Sequence, residues 1–79
     1  MKVIRDIELD VVEIIFEESD DVYGTEQFPG VIEFRDTSTN KLCSVEILFF
    51  SKYPPVWQMS LESLGLGYLK ELLKDLEEN

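Results

Sequence analysis

Pro54-Pro55 divides the chain into two stretches of different apolar periodicity. Consecutive prolines remove two backbone donors, and the first of them holds Tyr53 extended. A strand entering this region therefore stops near Ser51. Before the diproline, apolar residues alternate with a period of two; after it they recur at helical spacing.

The alternating part contains the expected strands. From Ile7 to Phe16, Val12, Ile14 and Phe16 share one side and Val11, Glu13 and Ile15 the other. β-Branched density favours a strand there. Val31–Asp36 and Leu42–Phe50 read as two further strands joined by the polar turn Thr37–Lys41. Ile32 and Phe34 are the expected core pair of the former. In the latter, Cys43, Val45, Ile47 and Phe49 alternate with Leu42, Ser44, Glu46, Leu48 and Phe50. The acidic, turn-rich segment between Phe16 and Val31 offers at most a short ladder at Val22-Tyr23.

Beyond the prolines, Ser60 is read as the N-cap of a short turn, and Gly65 and Gly67 precede a helix over Tyr68–Glu78. Leu69, Leu72, Leu73 and Leu76 form its apolar stripe; Lys70, Lys74, Glu71, Asp75 and Glu78 form a solvated side. The expectation is an α+β fold: a small three- to four-stranded antiparallel meander sheet with one C-terminal helix packed on one face. Residues 1–52 supply the sheet and 53–79 a proline linker and the helix, within one domain.

The chain has 79 residues, too few for two cores, and at 44% hydrophobic it is too apolar to be disordered. Seventeen acids against seven bases give a net charge of −10. That sign disfavours direct contact with nucleic acid or an anionic membrane and permits a basic protein partner. A lone cysteine, Cys43, cannot form an internal disulfide and fits a reducing compartment. Charge precedes any long apolar run at the N-terminus, so no secretory signal and a cytoplasmic location are expected.

Asp6, Glu8 and Asp10 stand at alternate positions and would project to one side of an extended chain. They lack the glycine and the distal glutamate of a calcium loop, and aspartate ahead of a strand commonly bonds its own turn. The stretch Asp6–Phe16 resembles the opening of a family of small uncharacterised prokaryotic proteins, a domain of unknown function. Its members begin with a pattern like D-x-E-x-D-x-L-x-I, continue with G-V-I and an acidic strand end, and then carry I-E-I-L followed by serine. Here the matching residues are Gly30-Val31-Ile32, Asp36, Val45-Glu46-Ile47-Leu48 and Ser51-Lys52. The chain departs from the pattern at Val11-Val12 and in Thr37–Lys41, which lacks the central glycine; the resemblance spans Asp6 to Lys52. It implies that the acidic lead-in is a turn signature. Some members look like the antitoxin half of two-gene toxin modules.

With no histidine, Ser–His and Cys–His nucleophiles and imidazole metal sites are unavailable. Cys43 lies in an apolar alternation and reads as a structural thiol. Glu33 and Glu46 are expected to face each other across the hairpin as solvated carboxylates. No catalytic or metal site and no cofactor are assigned. The interface candidates are Phe50, Tyr53, Trp57, Leu48, Val31 and Leu42, of which Val31, Leu42, Leu48 and Phe50 fall on the sheet face a single helix leaves uncovered. The expected function is a non-catalytic acidic protein-interaction module, antitoxin-like, that binds a basic protein, with a homodimer formed through the uncovered face. The alternative is a stand-alone structural or ligand-sensing homodimer. A small metal-dependent enzyme using the N-terminal acids ranks behind both.

Overall fold

The computed structural model describes residues 1–77, so Glu78 of the expected solvated helix side lies outside the described residues. Five strands form one antiparallel sheet: β1 (Lys2–Asp6), β2 (Val11–Ile15), β3 (Val22–Phe28), β4 (Val31–Asp36) and β5 (Leu42–Ile47). Two helices follow, α1 (Pro54–Ser63) and α2 (Leu69–Glu77). The fold is α+β as expected, with more strands and one more helix than the periodicity suggested. The strand order is β1-β2-β5-β4-β3, so β5 returns to pair with β2 and the sheet is not a simple meander.

The strand expected over Ile7–Phe16 starts only at Val11, because residues 7–10 form a turn. Asp6 Oδ1 accepts from the N–H of Leu9 at 3.0 Å, and Asp10 turns the chain with φ of 56°. The acidic lead-in is thus the turn of a hairpin whose first arm, β1, is short and mostly exposed. From β2 the chain crosses to the far edge. On the way Phe16 and Glu17 both donate to the carbonyl of Cys43, at 2.8 and 3.1 Å. The segment Glu17–Asp20 is thereby held across one end of the sheet.

Both helices lie on one sheet face. Beneath them Val12, Ile14, Val31, Val45 and Ile47 are fully buried. The register sets Val31 and Val12 against Ile47, and Ile14 against Val45. This reverses the phase expected for β4: Val31 is core, while Ile32 and Phe34 point to the opposite face. The β4–β5 register shifts so that Phe34 faces Ser44 while Arg35 faces Leu42, leaving Cys43 as the extra residue of a bulge.

The diproline starts a helix. Pro54 and Pro55 occupy the first turn of α1, where backbone N–H groups have no intrahelical acceptor and a fixed φ is already helical. Ser60 is consequently inside α1, and its hydroxyl donates to the carbonyl of Pro29 at 2.6 Å, tying the helix to the β3–β4 turn. At the other end Gly65 adopts φ of 77°, and Leu66 N–H reaches back to the carbonyl of Leu61 at 2.8 Å. That closes α1 with a left-handed glycine cap and turns the chain into α2.

In α2 the buried stripe is narrower than four leucines. Leu69 and Leu73 are buried and Leu76 packs at the edge, whereas Leu72 is 41% exposed. No helix among the described residues is long and apolar enough to cross a membrane. Leu73→Ala is expected to destabilise the fold by about 2–5 kcal/mol, and Leu72→Ala by less than about 1 kcal/mol. Urea unfolding followed by the fluorescence of Trp57, the chain's single tryptophan, checks the pair. Equal losses in the two variants would contradict the orientation of α2.

Candidate functional site

With both helices on one face, no secondary structure among the described residues lies over the opposite face of the sheet. Two rows of side chains cross it. One runs Ile4, Glu13, Glu46, Ile32; the other runs Lys2, Ile15, Ser44, Phe34, Gly24. Gly24 is required where it stands, because a Cβ there would come within 2.8 Å of Cε1 of Phe34. The aromatic ring takes the room that the missing side chain leaves on β3.

Glu13 and Glu46 are direct cross-strand partners, which places two carboxylates side by side in the middle of the face. Neither has an ion-pair partner among the described residues. Partial burial raises the Glu46 carboxyl above its ordinary value, and the neighbouring charge of Glu13 raises it further. Glu33, expected opposite Glu46, lies instead on the helix-covered side. It is 7% exposed and bonded to Arg35 at 3.1 Å. The change of partner follows from the reversed phase of β4.

Beside the pair is a concavity of about 410 Å³. Ile15, Val22 and Phe34 supply its apolar lining; Glu13, Glu18 and Asp20 bring carboxylates to it. Glu17 also borders it but pairs with Lys41 at 3.3 Å. Ser19, from the same loop, donates from its hydroxyl to Asp36 Oδ2 at 2.7 Å. That bond, followed by those from the N–H groups of Thr39 and Ser38, holds the Asp36 carboxyl down at about 2. The acidic loop is therefore fastened to the β4–β5 turn.

The structure separates the six interface candidates. Val31, Phe50 and Trp57 are 0–1% exposed and belong to the core, so they are corrected from surface anchors to packing residues. Trp57 stacks on Phe50 at 5.0 Å, and its indole N–H donates to the Phe50 carbonyl at 2.9 Å. Leu42 packs against the edge of the core and Leu48 is half-buried. Tyr53 is exposed, in edge contact with the exposed Phe49. Tyr53 heads a second apolar area with Val56 and Met59, next to a smaller concavity of about 240 Å³ that Phe28, Pro29, Val56 and Met59 border.

The N-terminal acids do not converge. Asp6 caps its turn and Glu8 is exposed. Asp10 accepts from Arg5 at 2.9 Å and from the N–H and hydroxyl of Ser51. Burial pushes the Asp10 carboxyl up, but the bonds from Ser51 and Arg5 outweigh it and hold the group below its ordinary value. Its hydrogen-bonding capacity is spent on structure. The Glu13–Glu46 pair, by contrast, escaped sequence reasoning because it exists only through the pairing of β2 with β5, distant in sequence. Its signal was a glutamate interrupting each of two largely apolar strands.

Opposite pH effects follow from these shifts. Asp10 and Asp36 have lowered values, so their stabilisation is complete above the unfolded value near 3.8 and is lost as pH falls through the folded one. Glu46 has a raised value, so its penalty is present at neutral pH and disappears as the group takes up its proton. Glu46→Gln should therefore stabilise the protein by roughly 0.2–1 kcal/mol at pH 7, with the gain shrinking towards pH 4. Urea midpoints at the two pH values check this; a loss of stability at both would contradict the repulsive pair. Comparison of this chain with protein-family models, curated proteins and solved structures finds no match.

Proposed function

We propose that the protein is a non-catalytic interaction module whose open sheet face binds a basic protein partner. The observation that carries this reading is the Glu13–Glu46 pair, unneutralised and partly desolvated among Ile4, Ile15 and Ile32. A cationic side chain arriving between the carboxylates relieves their repulsion, and the surrounding aliphatic groups gain apolar cover at the same time. The net charge of −10 adds long-range attraction for a basic surface and speeds encounter. An antitoxin-like role, neutralising a basic protein, fits the same chemistry and the resemblance over Asp6–Lys52.

Self-association through this face is disfavoured by its charge. A two-fold contact would set the Glu13–Glu46 pair near its own copy, adding like charges in a drying interface. The homodimer reading rests on a different observation, the exposed Tyr53, Val56 and Met59 beside the smaller concavity. Sedimentation distinguishes the two: a wild-type dimer that Met59→Glu dissociates and Glu46→Lys leaves intact supports the α1 surface as a self-interface.

For the leading reading, a synthetic peptide alternating lysine with valine should bind and should weaken as salt is raised, because exposed charges are screened beyond about 8 Å at physiological ionic strength. The Glu13→Gln, Glu46→Gln double variant should lose about tenfold in affinity, equivalent to roughly 1.4 kcal/mol. Isothermal calorimetry gives both numbers. A double variant that binds as tightly as the wild type overturns the proposal.

A further inference from the structure

The concavity beside the Glu13–Glu46 pair contains a polar group with no partner. Ser44 is only 8% exposed, and it lies on the open face between Ile15 and Phe34 and borders the concavity. Its hydroxyl forms no hydrogen bond to the rest of the described chain. The residue is nearly buried, but the hydroxyl itself still reaches solvent through the concavity, and there it is open to a ligand atom. The adjoining carboxylate of Glu13 is also unpaired, and Phe34 presents an aromatic ring beside them.

We infer that this concavity receives an arginine side chain of the basic partner, its guanidinium set between Glu13 and Ser44 and its stem laid along Ile15 and Phe34. The inference rests on the reading of the open face as a partner site and specifies which residue enters it. A guanidinium suits the lining better than an ammonium for three reasons. It carries five donors in a planar fork, enough to engage a carboxylate with two bonds and still reach a hydroxyl acceptor. It is weakly hydrated, so contact with Ile15, Val22 and Phe34 costs it little, whereas a lysine ammonium is compact and strongly hydrated. It also stacks on aromatic rings. The carboxylates of Glu18 and Asp20 add negative potential at the edge, while Lys41 neutralises Glu17 and leaves the centre of attraction nearer Glu13.

A divalent cation is a poorer occupant. Among the described residues no three carboxylate or thiol ligands converge. A hard ion needs about six or more oxygen ligands converging on one point, and the carboxylates here border the concavity without doing so.

The test uses the full chain and the lysine–valine peptide with its central lysine kept or replaced by arginine. The arginine peptide should bind about tenfold tighter, the effect of one additional charge-assisted hydrogen bond. Its largest amide shift changes by NMR should fall on Ile15, Phe34 and Ser44. Ser44→Ala should collapse the preference for arginine over lysine, and Ser44→Thr, which keeps the hydroxyl, should retain it. Trp57 fluorescence verifies that both variants are folded. Equal binding of the two peptides to the wild type overturns the arginine site and leaves the basic-partner reading standing. So does an arginine peptide whose shifts centre on Ile32 and Glu46 without Ser44. Failure of both peptides to bind overturns the two readings together.

Discussion

The arrangement of this protein depends on a knot of contacts where β5 ends. Phe49 takes a left-handed backbone conformation, φ 54°, which is strained for a bulky residue and costs of order 1–3 kcal/mol. The strain persists because the neighbouring groups fix it. The N–H of Phe50 donates to the carbonyl of Asp10 at 3.0 Å, and the N–H of Ser51 to the carboxylate of the same residue at 3.0 Å. Arg5 holds that carboxylate from β1 and lies over the Phe50 ring at 5.0 Å. Trp57 stacks on the ring from α1 and donates to the Phe50 carbonyl. The N-terminal hairpin, the end of β5 and the first helix thus meet in one place. Because Phe50 is turned towards the covered side, α1 and then α2 must follow it there.

That choice of side leaves the opposite face open and separates the fates of similar residues. Glu33 is nearly buried on the covered side and is bonded to Arg35. Glu46, across one strand and on the other side, is left with Glu13 as its neighbour. A charge pair of like sign half-buried in a sheet lowers stability, and a small domain has little to spare. Such locally unfavourable groups are expected where a ligand, not the fold, supplies the compensation.

Sequence periodicity was informative where an element is both local and one-sided. The strand character of β2, β4 and β5, and of α2, follows from alternation and from helical leucine spacing, and the turn at Asp6–Asp10 from its acids. The rest depended on distant contacts. β1 has little apolar burial and exists as a partner of β2, so Lys2–Asp6 carries no strong signal of its own. β3 is exposed along nearly its whole length and holds Gly24, a poor strand former that Phe34 requires. α1 was hidden by reading Pro54-Pro55 as a stop alone, when proline is equally suited to a helix start. The phase of β4 was ambiguous because Val31, Ile32 and Phe34 are all apolar, and alternation does not say which face is covered. The error carried directly into the site: reversing β4 exchanges Val31 for Ile32 and Phe34 on the open face and replaces Glu33 by Ile32 opposite Glu46, whose carboxylate neighbour, Glu13, comes from the β2–β5 pairing.

The placement of charge on that face supports the proposed recognition of a basic partner. Acids that keep a small protein in solution are most effective when exposed, as Glu8, Glu18, Asp20 and Asp21 are. Glu13 and Glu46 are neither fully exposed nor apart; they sit mid-sheet, flanked by Ile4 and Ile32. Central charges do discourage a second sheet from stacking there, which protects an uncovered face against self-association. They would do so singly, however, and one glutamate opposite a lysine would achieve it without repulsion. Two adjacent carboxylates beside the unbonded hydroxyl of the nearly buried Ser44 form a surface that is unfavourable alone and complementary to a cation. The same like-charged pair that would oppose a second copy of the chain is complementary to the basic partner proposed for this face.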